Sequence, residues 1–471
     1  MIFFNYKVLN LTNSFGVIMR CRIQYYLIAF FSLAFIFSCD KEEDPVDNDT
    51  DGYQQYGMPM ANIPDNEELV MYEVNLRAFS ADGDLEGVQN RLDDIAELGV
   101  NIIWLMPIQA NGGPINSPYA VSDYYAVDEE YGTIENLRTF IAEAHSRNML
   151  VILDWVANHT DWDHTWMADS SWYTQDLNGN IIHPAGTNWT DVADLNFDNE
   201  NMANQMIDAM KYWVLEANAD GYRCDAADYV PFEFWKRAID SLRAIPNREL
   251  VLFAEGARNN HFEAGFDLNF DWSFYNRTVA IFANGTNANY LGNQHNITYG
   301  AVPVGKEKVR FTTNHDQCAW DGTAIDIYGG IDASLAAFAA TLFYPGVPLI
   351  YTGQEIGWNI QIPFFSNSLV SWNYGASTLG FYKNLMIAYT NNIEFKIGNL
   401  NDFSSSNIIC INREINGEKS WCLINTKNAV SSFDLPLELQ NFSGTNLLDL
   451  GSFLISGNTI SLAAFEVLVF K

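Results

Sequence analysis

From Glu68 onward, short β-rich runs alternate with longer helical patterns, and this alternation constrains the chain more than any other feature. The runs are Leu69-Val74, Val100-Pro107, Leu150-Asp154, Gly221-Asp225, Leu250-Glu255, Gly265-Phe270, Val309-Asn314 and Val347-Tyr351. Between them the apolar period becomes that of a helix, as in Val88, Leu92 and Ile95 closed by Gly99, or Leu137, Phe140, Ile141 and Ala144 after the cap residue Thr133. Eight βα alternations predict an α/β fold, a parallel (β/α)8 barrel with its helices outside. In such a barrel the chemistry sits at the C-terminal ends of the strands.

The alternation assigns residues 67–394 to the barrel. One connection is anomalous: from Thr160 to about Asn196 the chain is rich in Trp, Asp, Asn and Gly with little periodicity, which predicts a short functional insertion at 160–196 after the third strand. Short alternating strands follow (Asn407-Arg413, Lys419-Asn425, Asn446-Leu450, Thr459-Leu462, Glu466-Phe470), and they predict a C-terminal antiparallel β-sandwich over 395–471. Cys410 and Cys422 flank the turn signal Asn416-Gly417. A two-residue turn would set Ile411 opposite Cys422 and send the two sulfurs to opposite faces, so free thiols are expected.

The N-terminus reads as an address. Tyr25 to Ser38 is an almost unbroken apolar run preceded by Arg20 and Arg22, too short to span a bilayer comfortably and laid out as a secretory signal over residues 1–38. Ile36-Phe37-Ser38-Cys39 resembles a loose bacterial lipobox, which implies lipid attachment at Cys39, and the acids that follow are similar to a surface-export signal of Gram-negative lipoproteins. An exported outer-membrane lipoprotein facing the cell exterior is the expectation, with residues 39–66 as an acidic tether. The net charge of −33 would repel a phosphate backbone, which argues against nucleic acid as a partner.

Asp225, Glu255 and Asp316 each lie where a predicted strand meets its loop. An inward carboxyl there is costly unless paired or used. Cleaving a glycosidic bond needs one carboxylate below the sugar and one carboxylic acid at its side, ~5–5.5 Å apart in retaining enzymes. Neighbouring strands suit Asp225 and Glu255 to this pair. Arg223, two residues before Asp225 on the same face, would keep Asp225 ionised, whereas the apolar run Val251-Ala254 would raise Glu255.

Asp154-Trp155-Val156-Ala157-Asn158-His159, Gly221-Tyr222-Arg223-Cys224-Asp225, Phe253-Ala254-Glu255-Gly256 and Thr313-Asn314-His315-Asp316 stand in the order and spacing of the signature regions of the α-amylase family, glycoside hydrolase family 13, which this chain resembles from about Tyr72 to Glu355. Gly99-Pro107, Asp194-Leu195-Asn196 and Gly346-Tyr351 match further segments of that family. The resemblance implies Asp225 as nucleophile, Glu255 as general acid/base and Asp316 as transition-state stabiliser. It further implies His159 and His315 as sugar ligands, Tyr119 as an aromatic platform and Asp154 as a buried prop for Arg223.

The chain departs from the pattern where Asp228-Tyr229 replace a common Lys-His pair, which puts an acceptor-side contact in doubt. No cofactor is expected for the chemistry, but the resemblance implies a structural calcium ion on Asn158, Asp194 and the carbonyl of Tyr229. The leading expectation is a retaining hydrolase of α-1,4 links in starch, glycogen or maltooligosaccharides. The alternatives are an α-glucan transglycosylase with the same site and a non-catalytic glycan-binding barrel.

Overall fold

The computed structural model describes residues 52–113 and 116–471. Cys39, the apolar run before it and the first part of the acidic segment lie outside them. Eight parallel strands close into a barrel in sequential order: β1 (Met71–Val74), β2 (Ile102–Leu105), β3 (Leu150–Trp155), β4 (Gly221–Cys224), β5 (Val251–Ala254), β6 (Leu268–Phe270), β7 (Glu307–Arg310) and β8 (Val347–Tyr351).

Side chains alternate across each strand. Inward residues Met71, Ile102, Trp104, Leu150, Ile152, Val251, Phe253, Leu268, Phe270, Val309 and Leu349 form the barrel interior. Outward residues such as Tyr72, Ile103, Val151, Leu153 and Leu252 join the helices in a second, larger core. The core is thus two concentric apolar shells with the sheet between them. No helix of the described residues is long and apolar enough to cross a membrane.

Several predicted boundaries move. The seventh strand begins at Glu307, earlier than expected, because the charged pair Glu307-Lys308 hid its start. Gly265 ends helix Asn260–Ala264 with φ +114 and lies before β6. The helix expected through Val88 and Ile95 is broken at Asn90-Arg91 into Leu85–Gln89 and Leu92–Ala96. Thr133 caps helix Ile134–Ser146 in a capping box with Asn136.

The expected tether ends sooner than residue 66. Tyr53 packs edge-on against Tyr212 with ring centroids 5.4 Å apart, Tyr56 N–H donates to the Leu215 carbonyl at 2.7 Å, and Met60 and Ile63 pack against the barrel interior. Three apolar side chains and one backbone hydrogen bond in an irregular segment carry no periodic signal, so the docking was not legible in sequence.

After helix Glu394–Ile397, the strands β9 (Asn399–Asp402), β10 (Ile408–Ile415), β11 (Glu418–Asn425) and β12 (Val467–Phe470) form one antiparallel sheet. Its Ile409, Ile411, Cys422 and Val469 face the barrel helices. Cys410, Trp421, Leu423 and Phe470 face a second layer carrying Phe433 and Leu462, from the pair Ser431–Asp434 and Thr459–Leu462. The expected strand Asn446-Leu450 is instead a turn, entered from Ser443–Thr445. Asn416 and Gly417 take φ 54 and 87, Ile411 pairs with Cys422, and all four described cysteines are buried free thiols. The two-residue turn sets this register, as expected.

β4 can begin only with glycine. At φ +145 a Cβ on Gly221 would stand 1.9 Å from the Val251 carbonyl oxygen of β5. Gly221→Ala is therefore expected to destabilise the fold by more than about 1 kcal/mol, read as a lower denaturation midpoint in urea at an unchanged slope.

Candidate active site

Alternation along the strands carries Glu73 of β1, Trp104 of β2, Asp154 of β3 and Arg223 of β4 to the upper interior of the barrel, where all four are fully or almost fully buried. The Asp154–Arg223 register pairing places that acid beside the guanidinium. Arg223 Nη1 lies 2.8 and 3.0 Å from the two Asp154 oxygens and 3.0 Å from Asp225 Oδ1. Its Nη2 is 2.7 Å from Glu255 Oε2. One guanidinium therefore draws the Asp225 and Glu255 carboxylates together, each one residue past the end of its strand. Asp154 is the prop expected for Arg223.

Beyond Asp225 the chain turns sharply, with Ala226 at φ 44. That left-handed conformation aims the Ala226 N–H at Glu255 Oε2, 2.7 Å away. Strain of this kind costs of order 1–3 kcal/mol and concentrates at functional sites. Asp316 arrives differently from the expectation of a strand end. It sits in the first turn of helix His315–Trp320, whose N-cap Asn314 accepts the Asp316 and Gln317 N–H groups at 2.9 and 3.1 Å.

Three carboxylates, Asp154, Asp225 and Glu255, touch one guanidinium, and Asp316 lines the same cleft. Burial pushes Asp225 well above the usual carboxylate range, and the neighbouring Glu255 adds to this while Arg223 opposes it. Burial likewise raises Asp316 to about 7, again with Glu255 adding and Arg223 opposing. This corrects the expectation that Arg223 serves the Asp225 side alone: the guanidinium touches both acids, and Asp225 is not held low. One positive charge beside several carboxylates adds to burial in disfavouring full ionisation of the cluster.

Tyr119, His159 and His315 join the acids around one cleft of about 680 Å³. Tyr119 lies parallel to the His315 ring, with centroids 5.3 Å apart and planes at 16°. Burial lowers His159 to about 4 and takes His315 well below its ordinary value, which disfavours the charged form of both imidazoles. Of the insertion's tryptophans only Trp189 reaches the cleft. Trp166 packs on Tyr124 and Trp172, and Trp162 donates its indole N–H to the Thr190 carbonyl.

Sequence reasoning missed four further aromatics that line the cleft, Trp272, Trp320, Phe364 and Phe365. Trp272 opens helix Trp272–Phe282, Trp320 closes helix His315–Trp320, and Phe364 and Phe365 lie on a loop, so no shared periodicity distinguished them from core. Asp228 also lines the cleft, 3.0 Å from Arg258 Nε and 3.1 Å from His261 Nε2.

Asn158 and Asp194, two of the residues implied for calcium, lie on neighbouring segments, His159 pairing with Asp194 between two short strands. The Asn158 amide nitrogen lies 3.2 Å from His159 Nδ1, the Asp194 carboxyl interacts with Thr174 and His183, and Tyr229 is an exposed residue of the cleft wall, packed on Trp189. Among the described residues no group of three or more His, Cys, Asp or Glu side chains could hold a metal ion.

Comparison with known proteins agrees with the geometry. An alpha-amylase from Dictyoglomus thermophilum is 29% identical over 337 residues, 63% of this chain and 65% of its own length. An alpha-amylase from Haloarcula japonica is 28% identical over 304 residues, 62% of this chain and 44% of its own. The chain thus spans less than two thirds of each. A noncanonic maltogenic alpha-amylase from Thermotoga neapolitana shares the fold with a TM-score of 0.78 at 24% identity, over 86% of this chain and 99% of that one. The alpha amylase catalytic domain matches residues 46–181 and 185–378, and with the closed barrel and the acids at its mouth this establishes that the chain belongs to the alpha-amylase family.

Proposed function

We propose that the chain is a retaining α-glucan hydrolase acting on α-1,4 links of starch, glycogen or maltooligosaccharides. The observation that carries this reading is the Arg223 guanidinium holding Asp225 and Glu255 at the ends of adjacent strands, with Asp316 on the same cleft.

In the first step an Asp225 oxygen forms a bond to the anomeric carbon as the glycosidic C–O bond breaks, and Glu255 gives its proton to the departing oxygen. Glu255, now a carboxylate, then takes a proton from water. The water oxygen bonds to the same carbon, the ester bond breaks and Asp225 leaves as a carboxylate. Two inversions return the α configuration. Asp316 accepts hydrogen bonds from ring hydroxyls as charge builds on the sugar, while neutral His159 and His315 contact it without adding a repelling cation. Tyr119 offers its ring to the apolar sugar face.

Export, with lipid on Cys39 anchoring the protein at the outer membrane, is part of the same proposal and rests on the sequence at 1–44. Radiolabelled palmitate is expected to enter the wild-type chain and not Cys39→Ala.

Glu255→Gln and Asp225→Asn are each expected to lower release of reducing ends from amylose at least about 10²-fold. Proton NMR of the first wild-type products should show the α anomer. Equal rates in wild type and Asp225→Asn would mean a glycan-binding barrel, and longer products from maltotriose would mean glycosyl transfer.

Asp316 also sets a pH dependence of stability. Its folded value, about 7, exceeds an unfolded value of about 3.9, so the folded state binds the extra proton between those limits and stability falls as pH rises through them. Asp316→Asn should therefore raise the thermal midpoint at pH 8 and leave it nearly unchanged at pH 4.

A further inference from the structure

Glu73 is a fully buried acid on β1 that takes no part in the steps above. Its Oε1 lies 2.5 Å from His315 Nδ1. His315 Nε2 is 2.8 Å from the Tyr119 hydroxyl, and that hydroxyl is 3.0 Å from Asp154 Oδ2. Three contacts in series thus link the acid to the Asp154–Arg223 pair, and hydrogen counting decides their direction.

Asp154 meets Arg223 Nη1 through both oxygens and accepts the Trp104 indole N–H at 3.0 Å, so it acts as an acceptor. The single Tyr119 hydrogen must then point to Asp154. The Nε2 contact can be made only by a hydrogen on His315 itself. His315 therefore carries its proton on Nε2, and Nδ1 either accepts from a neutral Glu73 or donates to a Glu73 carboxylate as part of an imidazolium.

The surroundings choose between these. Glu73 Oε2 is buried without a hydrogen-bond partner. A carboxylate would leave charge on that bare oxygen, whereas a carboxylic acid leaves only a carbonyl there. An ion pair at this depth would also have to be desolvated twice over. The groups facing the pair are Tyr351 from β8, Asp154 from β3, Arg223 from β4, Tyr119 from the loop after β2, and Asp316 and Cys318 from the helix after β7. Burial raises Glu73 well above the carboxylate range, with Arg223 opposing and Asp154 and Asp316 adding. Burial and Arg223 both disfavour charge on His315.

We propose that Glu73 is a positioning residue held as a neutral acid, whose O–H donates to His315 Nδ1 and so locks His315 in the Nε2–H tautomer, orienting the Tyr119 platform and keeping the Tyr119 hydrogen on Asp154. This inference rests on the reading of the cleft as a sugar site. Without Glu73 the imidazole could place its proton on Nδ1, and a bare Nε2 would compete with Asp154 for the hydrogen of Tyr119.

The test is two-bond proton–nitrogen NMR of the full chain labelled with 15N-histidine from pH 5 to 8, His315 being assigned by its loss in His315→Asn. The expected spectrum is a neutral Nε2–H ring that does not titrate. Glu73→Gln, whose amide can donate in the same place, should preserve it, while Glu73→Leu should populate the Nδ1–H form and lower kcat on amylose about tenfold more than Glu73→Gln does. An imidazolium or an Nδ1–H ring in the wild-type protein would overturn the proposal even if both variants failed to fold. The spectrum reads no activity, so a wild-type protein inert on every α-glucan would sink the hydrolase reading alone.

Discussion

A guanidinium with no exposed surface must be compensated by charge, because an unpaired buried ion costs several kcal/mol. Arg223 meets that requirement with Asp154 beneath it and with Asp225 and Glu255 at its outer edge. The acids are therefore held by the same interaction that makes the buried cation tolerable. Burial displaces Asp225 and Asp316 upward, and their closeness to Glu255 adds to the displacement.

Trp104 connects this charged layer to the dry one below. Its ring lies 4.8 Å under the Arg223 guanidinium and meets Phe253 edge-on at 5.8 Å, while its indole N–H donates to Asp154. The lower interior is aromatic and aliphatic, with Met60 and Ile63 of the N-terminal segment packed against it. The C-terminal sheet lays Ile409, Ile411, Cys422 and Val469 on the barrel's outer shell. Rigidity beneath the cleft thus comes from packing on both sides of the barrel sheet.

Residues at fixed spacing within one strand were legible from sequence. Arg223 and Asp225 are two apart, so they share a face whatever else happens. The Asn416-Gly417 turn likewise decided which residue opposes Cys422, because a two-residue turn leaves one register. Legibility failed where position depends on partners distant in the chain. Glu73 read as an ordinary strand residue because His315, which gives its carboxyl a purpose, stands 242 positions away. The even sharing of Arg223 between both acids could not be inferred either, since a strand assignment says which face a side chain takes and not how far it reaches.

Local patterning in the chain determined the barrel, its helices, the C-terminal sheet and the inward-facing acids, because period, capping and turn chemistry act over a few residues. Tertiary structure alone decided the aromatic wall at Trp320 and Phe364, the docking of residues 53–63 and the helical setting of Asp316. Each of these turns on distances between segments that only chain closure sets, and on burial, which determines the charge a group carries.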